Sequence, residues 1–126
     1  MILNCGEALI DMVAGETNDR QMAFVPHSGG AVMNTAVALG RLGVPSGFFA
    51  GLSNDLFATQ LKAHLSASDV SYDLCPISDA PTTLAFVQLE NGQAKYAFFD
   101  ESTALRNLQP SDIPALPDAI EAIFFG

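Results

Sequence analysis

The sequence predicts an α/β fold, because strand-like and helix-like patterns alternate along its first half and two hairpin-like segments interrupt that alternation. "MILNC" reads as a strand beginning at residue 2, followed by Gly6 and a second extended stretch that ends at Gly15. "ETNDRQ" has the polar, turn-forming character of a hairpin tip leading into "MAFVPHSGG". From Ala31 to Leu42 the apolar positions Val32, Ala36, Leu39 and Gly40 follow helical spacing, and Gly43 with "GVP" stops the run. "SGFFAGL" is a short apolar run of buried-strand type. "NDLFATQLKAHLSAS" places Leu56, Phe57, Leu61 and Leu65 on one stripe, with Asn54 or Ser53 as the N-cap.

Beyond "DVSYDLCPISD" the pattern changes. "TTLAFVQLENGQAKYAFFDE" is two alternating runs joined by Glu90-Asn91-Gly92-Gln93, the strongest hairpin signal in the chain. "LQPSDIPALPDAI" reads as turn and short helix, and "EAIFFG" as a buried strand of parallel type. A central strand at the chain's end lacks the crossover that would cover it, so the expectation is a truncated domain that is poorly stable alone or associates through that edge.

Composition narrows the function classes. The 126 residues carry 14 acids against 5 Lys and Arg, a net charge of −9, and no basic cluster that could follow a phosphate backbone. Nucleic acid and membrane are not expected partners. Hydrophobic residues make up 49%, enough for a packed core, yet no apolar run approaches the roughly 20 residues of a bilayer span. Cys5 and Cys75 form no CxxC pair and no secretory pattern leads the chain, so the cytoplasm is the expected compartment. Cys5 is expected to pack as a small buried apolar residue of the first strand.

Polar residues in apolar surroundings mark the candidate ligand groups. The order strand, Gly29-Gly30, helix makes the start of the Ala31–Leu42 helix a candidate polar-ligand site, since its first amides lack helical partners and glycine lets a ligand approach the backbone. Asn34 has poor helix propensity in a run of Ala, Val and Leu, and a hydroxyl-rich ligand would give its amide a purpose. Asp11, after Leu9-Ile10, is expected at the carboxyl end of the first strand, where a carboxylate can accept two hydroxyls. Glu7 has the same strand parity, so the two acids either share a face or are separated by a bend at Gly6. His27 reads as a turn residue and His64 as one on a polar helix face, 37 positions apart with no ligand spacing. Asp100, Glu101, Asp112 and Asp118 read as solvated acids or caps.

In order and spacing, "GEALIDM", "HSGGAVMNTAVALGRLGVPSGFFAGLSNDLF" and "PTTLAFVQLENGQAKYAFFDESTA" resemble the first part of a fructokinase-type member of the ribokinase-like (PfkB) carbohydrate kinases. Val32 and Ser53 depart from that family's first signature without removing a ligand-binding group. The resemblance implies a three-layer α/β/α domain with a small β-sheet lid, formed by segments around residues 12–25 and 83–99, phosphorylating a sugar hydroxyl with ATP and Mg. It implies that Asp11 binds two sugar hydroxyls, that Gly29 and Gly30 form the hinge and sugar-facing backbone, that Asn34 binds a further hydroxyl, and that Phe98 closes over the sugar. It also implies a homodimer through the lid. Fructose or a similar ketose is the expected sugar, although adenosine, ribose, ketogluconate and aminoimidazole riboside kinases share the framework. The family's G-A-G-D motif, with its catalytic Asp, has no counterpart here, so the ATP-binding part is expected to be absent and the chain inactive alone. The alternative is a sugar-binding or dimerising fragment without turnover.

Overall fold

A computed structural model describes all residues, 1–126. Its elements are β1 (Ile2–Cys5), β2 (Leu9–Glu16), β3 (Met22–Gly29), α1 (Ala31–Arg41), β4 (Ser46–Phe49), β5 (Leu52–Ser53), α2 (Leu56–Ser66), β6 (Val70–Ser71), β7 (Ile77–Ser78), β8 (Leu84–Glu90), β9 (Gln93–Phe99), a 3₁₀ turn (Pro110–Asp112) and β10 (Ala122–Phe125). The fold is α/β, with one parallel sheet in the order β10-β1-β4-β6 and one mixed sheet in the order β3-β2-β8-β9. β5 and β7 form a small third sheet.

The parallel sheet follows from short apolar strands separated by helices. β1 pairs in parallel with β4 and with β10, and α1 and α2 pack against this sheet and each other. The core lies between them: Met33, Val37, Phe48, Leu61 and Leu65 are buried, and Ile10 joins them from β2. α1 buries Val32, Met33, Ala36, Val37 and Gly40, a stripe at helical spacing. Leu39, expected on that stripe, is only half-buried. Asn4 is a polar residue in the buried sheet, and its amide nitrogen ties β1 to β4 by donating to Ser46 Oγ at 3.2 Å and the Gly47 carbonyl at 3.0 Å.

Several boundaries differ from those expected. "SGFFAGL" divides into β4 and β5 at Ala50-Gly51. The N-cap of α2 is Asp55 rather than Asn54 or Ser53. Its Oδ1 accepts from the Ala58 amide at 2.8 Å, while Asn54 is engaged with Asp79 and the Ser53 hydroxyl accepts from the Asp55 amide. Leu56 points to solvent at 74% exposure, and Ala58 takes its place on the buried face. β10 is parallel as expected, but it lies at the sheet edge with every residue exposed. Cys5 is half-buried, and the deeply buried thiol is Cys75.

Both hairpin-like segments enter the mixed sheet. β2 and β3 are antiparallel over their full length, closed by a tip in which Thr17 N donates to the Gln21 carbonyl at 2.9 Å. β8 and β9 are joined at Asn91 (φ 52°) and Gly92 (φ 78°), the two positive values that a two-residue type I′ turn requires. Parallel pairing of β2 with β8, Ile10 opposite Leu84, unites the two hairpins into one four-stranded sheet.

Candidate functional site: an acidic cavity between the mixed sheet and the first helix

The site forms where the mixed sheet meets the first helix. Gly6 to Ala8 bend the chain out of the parallel sheet, so Asp11 is the third residue of β2 and not the last of β1, a correction to its expected place. Strand alternation then sets its direction: Ile10 is fully buried, and its neighbours Leu9 and Asp11 face the other way, into a cavity of about 570 Å³. Glu7, Gly30, Ala31, Asn34, Thr83, Phe98, Asp100 and Leu105 complete its lining. Glu7 and Asp11 therefore share one cavity despite the bend between them.

Four of the five residues singled out in the sequence, Asp11, Gly30, Asn34 and Phe98, line this cavity from β2, the β3–α1 junction, α1 and β9. Gly29, the fifth, lies behind them: a Cβ there would overlap the Asp11 carboxylate, so glycine lets that carboxylate sit flat against the strand. Gly30 is required twice over. Its φ of 110° disfavours any side chain, and an added Cβ would come within 2.6 Å of the Glu7 carbonyl.

The start of α1 differs from expectation in one respect that bears on its ligand. Gly30 supplies no side-chain cap, and Glu7 Oε1 accepts from the Ala31 amide at 2.7 Å across 24 residues of sequence. A carboxylate already occupies the positive end of the helix. Asn34, in the first turn, is exposed and lines the cavity.

Burial raises the Asp11 carboxyl above its ordinary value, and attraction to His27, its cross-strand partner in β3, offsets part of that rise. Asp100, read from the sequence as a solvated acid or cap, is half-buried in the cavity wall; its carboxylate lies 3.5 Å from Arg106 Nε. Glu7, Thr83 and Asp100 are the polar lining residues that the sequence did not mark as ligands. Only the strand parity of Glu7 hinted at its place, since the others arrive by long-range pairing. His27 and His64, distant in sequence, share a separate polar cleft with Pro26, Ser28 and Gln60.

Hydroxyl acceptors, an amide and an aromatic ring around one cavity suit a polyhydroxylated ligand, and the sequence profile of pfkB family carbohydrate kinases matches residues 2–123. The chain belongs to this family. It is 52% identical over 126 residues to a fructokinase of Rhizobium leguminosarum bv. trifolii, covering all of this chain and 39% of that relative. The crystal structure of a fructokinase from Xylella fastidiosa superposes with a TM-score of 0.83 at 33% identity, covering 90% of this chain and 37% of that one. A second structure of the Xylella fructokinase, with bound ATP, superposes with a TM-score of 0.82 at 34% identity and the same coverage. The pfkB chain thus spans about two fifths of the length of such relatives. No helix is long and apolar enough to cross a membrane.

Proposed function

We propose that the chain forms the sugar-binding side of an ATP-dependent sugar kinase of the fructokinase type. The observation that carries this is the convergence of Asp11, Gly30, Asn34 and Phe98, from four separate segments, on one cavity. Ionised Asp11 accepts hydrogen bonds from two sugar hydroxyls, and the Asn34 amide takes a further hydroxyl. Phe98, at the end of β9, covers the sugar and excludes water, with the β3-β2-β8-β9 sheet acting as the lid. Gly30 lets the sugar approach the backbone, and Gly29 leaves room for the Asp11 carboxylate that receives it. A ketose such as fructose is the proposed substrate, supported by the 52% identity to the Rhizobium fructokinase.

ATP, accompanied by Mg, would supply the phosphoryl group. The cavity does not fit the triphosphate itself, since three carboxylates and no Lys or Arg line it, so this chain's residues are assigned the sugar side alone. The outer strand β9 is exposed along its whole length, which supports a homodimer through the lid. Free Cys5 and Cys75 support a reducing, cytoplasmic setting.

Calorimetric titration of the protein with fructose tests the sugar assignment. Asp11→Ala is expected to lose affinity by at least about tenfold for each charge-assisted hydrogen bond removed, with no loss in unfolding midpoint. An unchanged affinity would overturn the role given to Asp11. Fructose binding without ADP release on adding ATP and magnesium would favour a sugar-binding module without turnover.

A further inference from the structure

The charge inside the cavity is unbalanced, and its three carboxylates are not equivalent. Glu7 is committed, with Oε1 on the Ala31 amide at the positive end of α1. Asp11 lies beside Gly29, opposite His27, where sugar hydroxyls are assigned to it. Asp100 has neither engagement: the one cation beside it is Arg106 at 3.5 Å, whose side chain is 66% exposed, so the pair neutralises little of its charge. The guanidinium itself is not part of the cavity wall.

Asp100 is also fixed in place. Its carbonyl accepts from the Thr103 hydroxyl at 3.0 Å, and Thr103 Oγ1 accepts in turn from Thr83 Oγ1 at 2.9 Å. Thr83 and Thr103 are buried, at 4% and 2% exposure. This chain of hydroxyls anchors the backbone of residue 100 to the body of the protein where β9 ends, at the cavity wall.

We propose that Asp100 is a specificity-determining residue that makes the cavity select neutral sugars and reject sugar acids. The inference rests on the sugar-kinase assignment above and deepens it by naming the charge class of the substrate. A carboxylate-bearing sugar entering this cavity would lie among three like charges with no lining cation to receive it, whereas neutral hydroxyls find acceptors throughout.

The test compares fructose with 2-ketogluconate, a sugar acid, as ligands of the wild-type protein and of Asp100→Asn, Asp100→Glu and Arg106→Gln. The readout is the ratio of calorimetric affinity for the acid to that for fructose. Asp100→Asn should raise the ratio by about tenfold at low salt, with the gain shrinking in high salt as the Debye length shortens. Asp100→Glu should keep the wild-type ratio. Arg106→Gln, which unmasks the Asp100 charge from outside the cavity, should lower it. An Asp100→Asn ratio within twofold of wild type, while the wild type still binds fructose, overturns the role of Asp100 alone. A wild type that binds neither sugar overturns the assignment of the cavity to sugar and this inference together.

Discussion

Asp11 shows how one side chain's surroundings set its working range. Burial raises its carboxyl pKa and His27 holds that rise down, so Asp11 protonates at a higher pH than the ordinary value of 3.8. Because the folded value lies above the unfolded one, ionised Asp11 costs the fold some stability at pH above the ordinary value. Sugar affinity, which needs the ionised form, is lost as pH falls through the raised value. Fructose affinity measured by calorimetry from about pH 4 to pH 7 should therefore fall on the acid side, and His27→Ala should move that fall to higher pH by removing the attraction. An acid limb that stays in place in His27→Ala would refute the coupling. Asp11 and Asn34 were legible in the sequence because a polar residue in an apolar run is a local anomaly. Glu7 and Asp100 were not assigned as ligands, because what distinguishes them, the Ala31 amide and the Thr83–Thr103 hydroxyls, is supplied by distant segments.

At the level of the element, Asp55 is more than a helix cap. It accepts from the Ala58 amide at 2.8 Å, and also from the Thr82 amide at 2.9 Å and the Thr82 hydroxyl at 2.7 Å. One carboxylate thus joins the start of α2 to the segment that enters β8. Burial raises its pKa, but these hydrogen bonds outweigh burial and hold the value below the ordinary 3.8. A depressed folded value means stability that is present above pH 3.8 and lost as pH falls through the folded value. Asp55→Ala should cost about 2 kcal/mol by denaturant melts at neutral pH, and markedly less at a pH low enough to protonate the wild-type carboxyl. An equal loss at both pH values would refute the charge dependence. Three consecutive residues, Ser53, Asn54 and Asp55, could each have capped α2, and the choice rested on Thr82, far along the chain. The β8–β9 turn was legible for the opposite reason, since Asn91-Gly92 carries its own geometry.

For the molecule as a whole, alternation of strand and helix foretold the parallel sheet, because each unit buries its face against the next in sequence. The union of the two hairpins was not legible from patterning, since pairing Ile10 with Leu84 is a choice among many edges that no local signal makes. The exposed outer strand carries Tyr96 at 57% exposure, on the same face of the sheet as Leu89 of β8 at 75%. If these cover one another across a homodimer, sedimentation at micromolar concentration should give a dimer for the wild type and a monomer for Leu89→Asp/Tyr96→Asp. A wild-type monomer would refute that interface. Core loss should act separately: Phe48→Ala, at a fully buried position, should cost about 3 to 5 kcal/mol in a chemical denaturation curve.

The bond from Glu7 to the Ala31 amide closes the chain on itself just before β2 and just after β3. Everything between is an excursion whose two feet are bolted together at the cavity, with the free bend at Thr17–Gln21 at its far end. Changes of length at that bend therefore leave the feet where they are. A peptide tag or a few added residues could be inserted there without moving Asn34 relative to Asp11, which makes the tip the natural place to graft a label onto this protein.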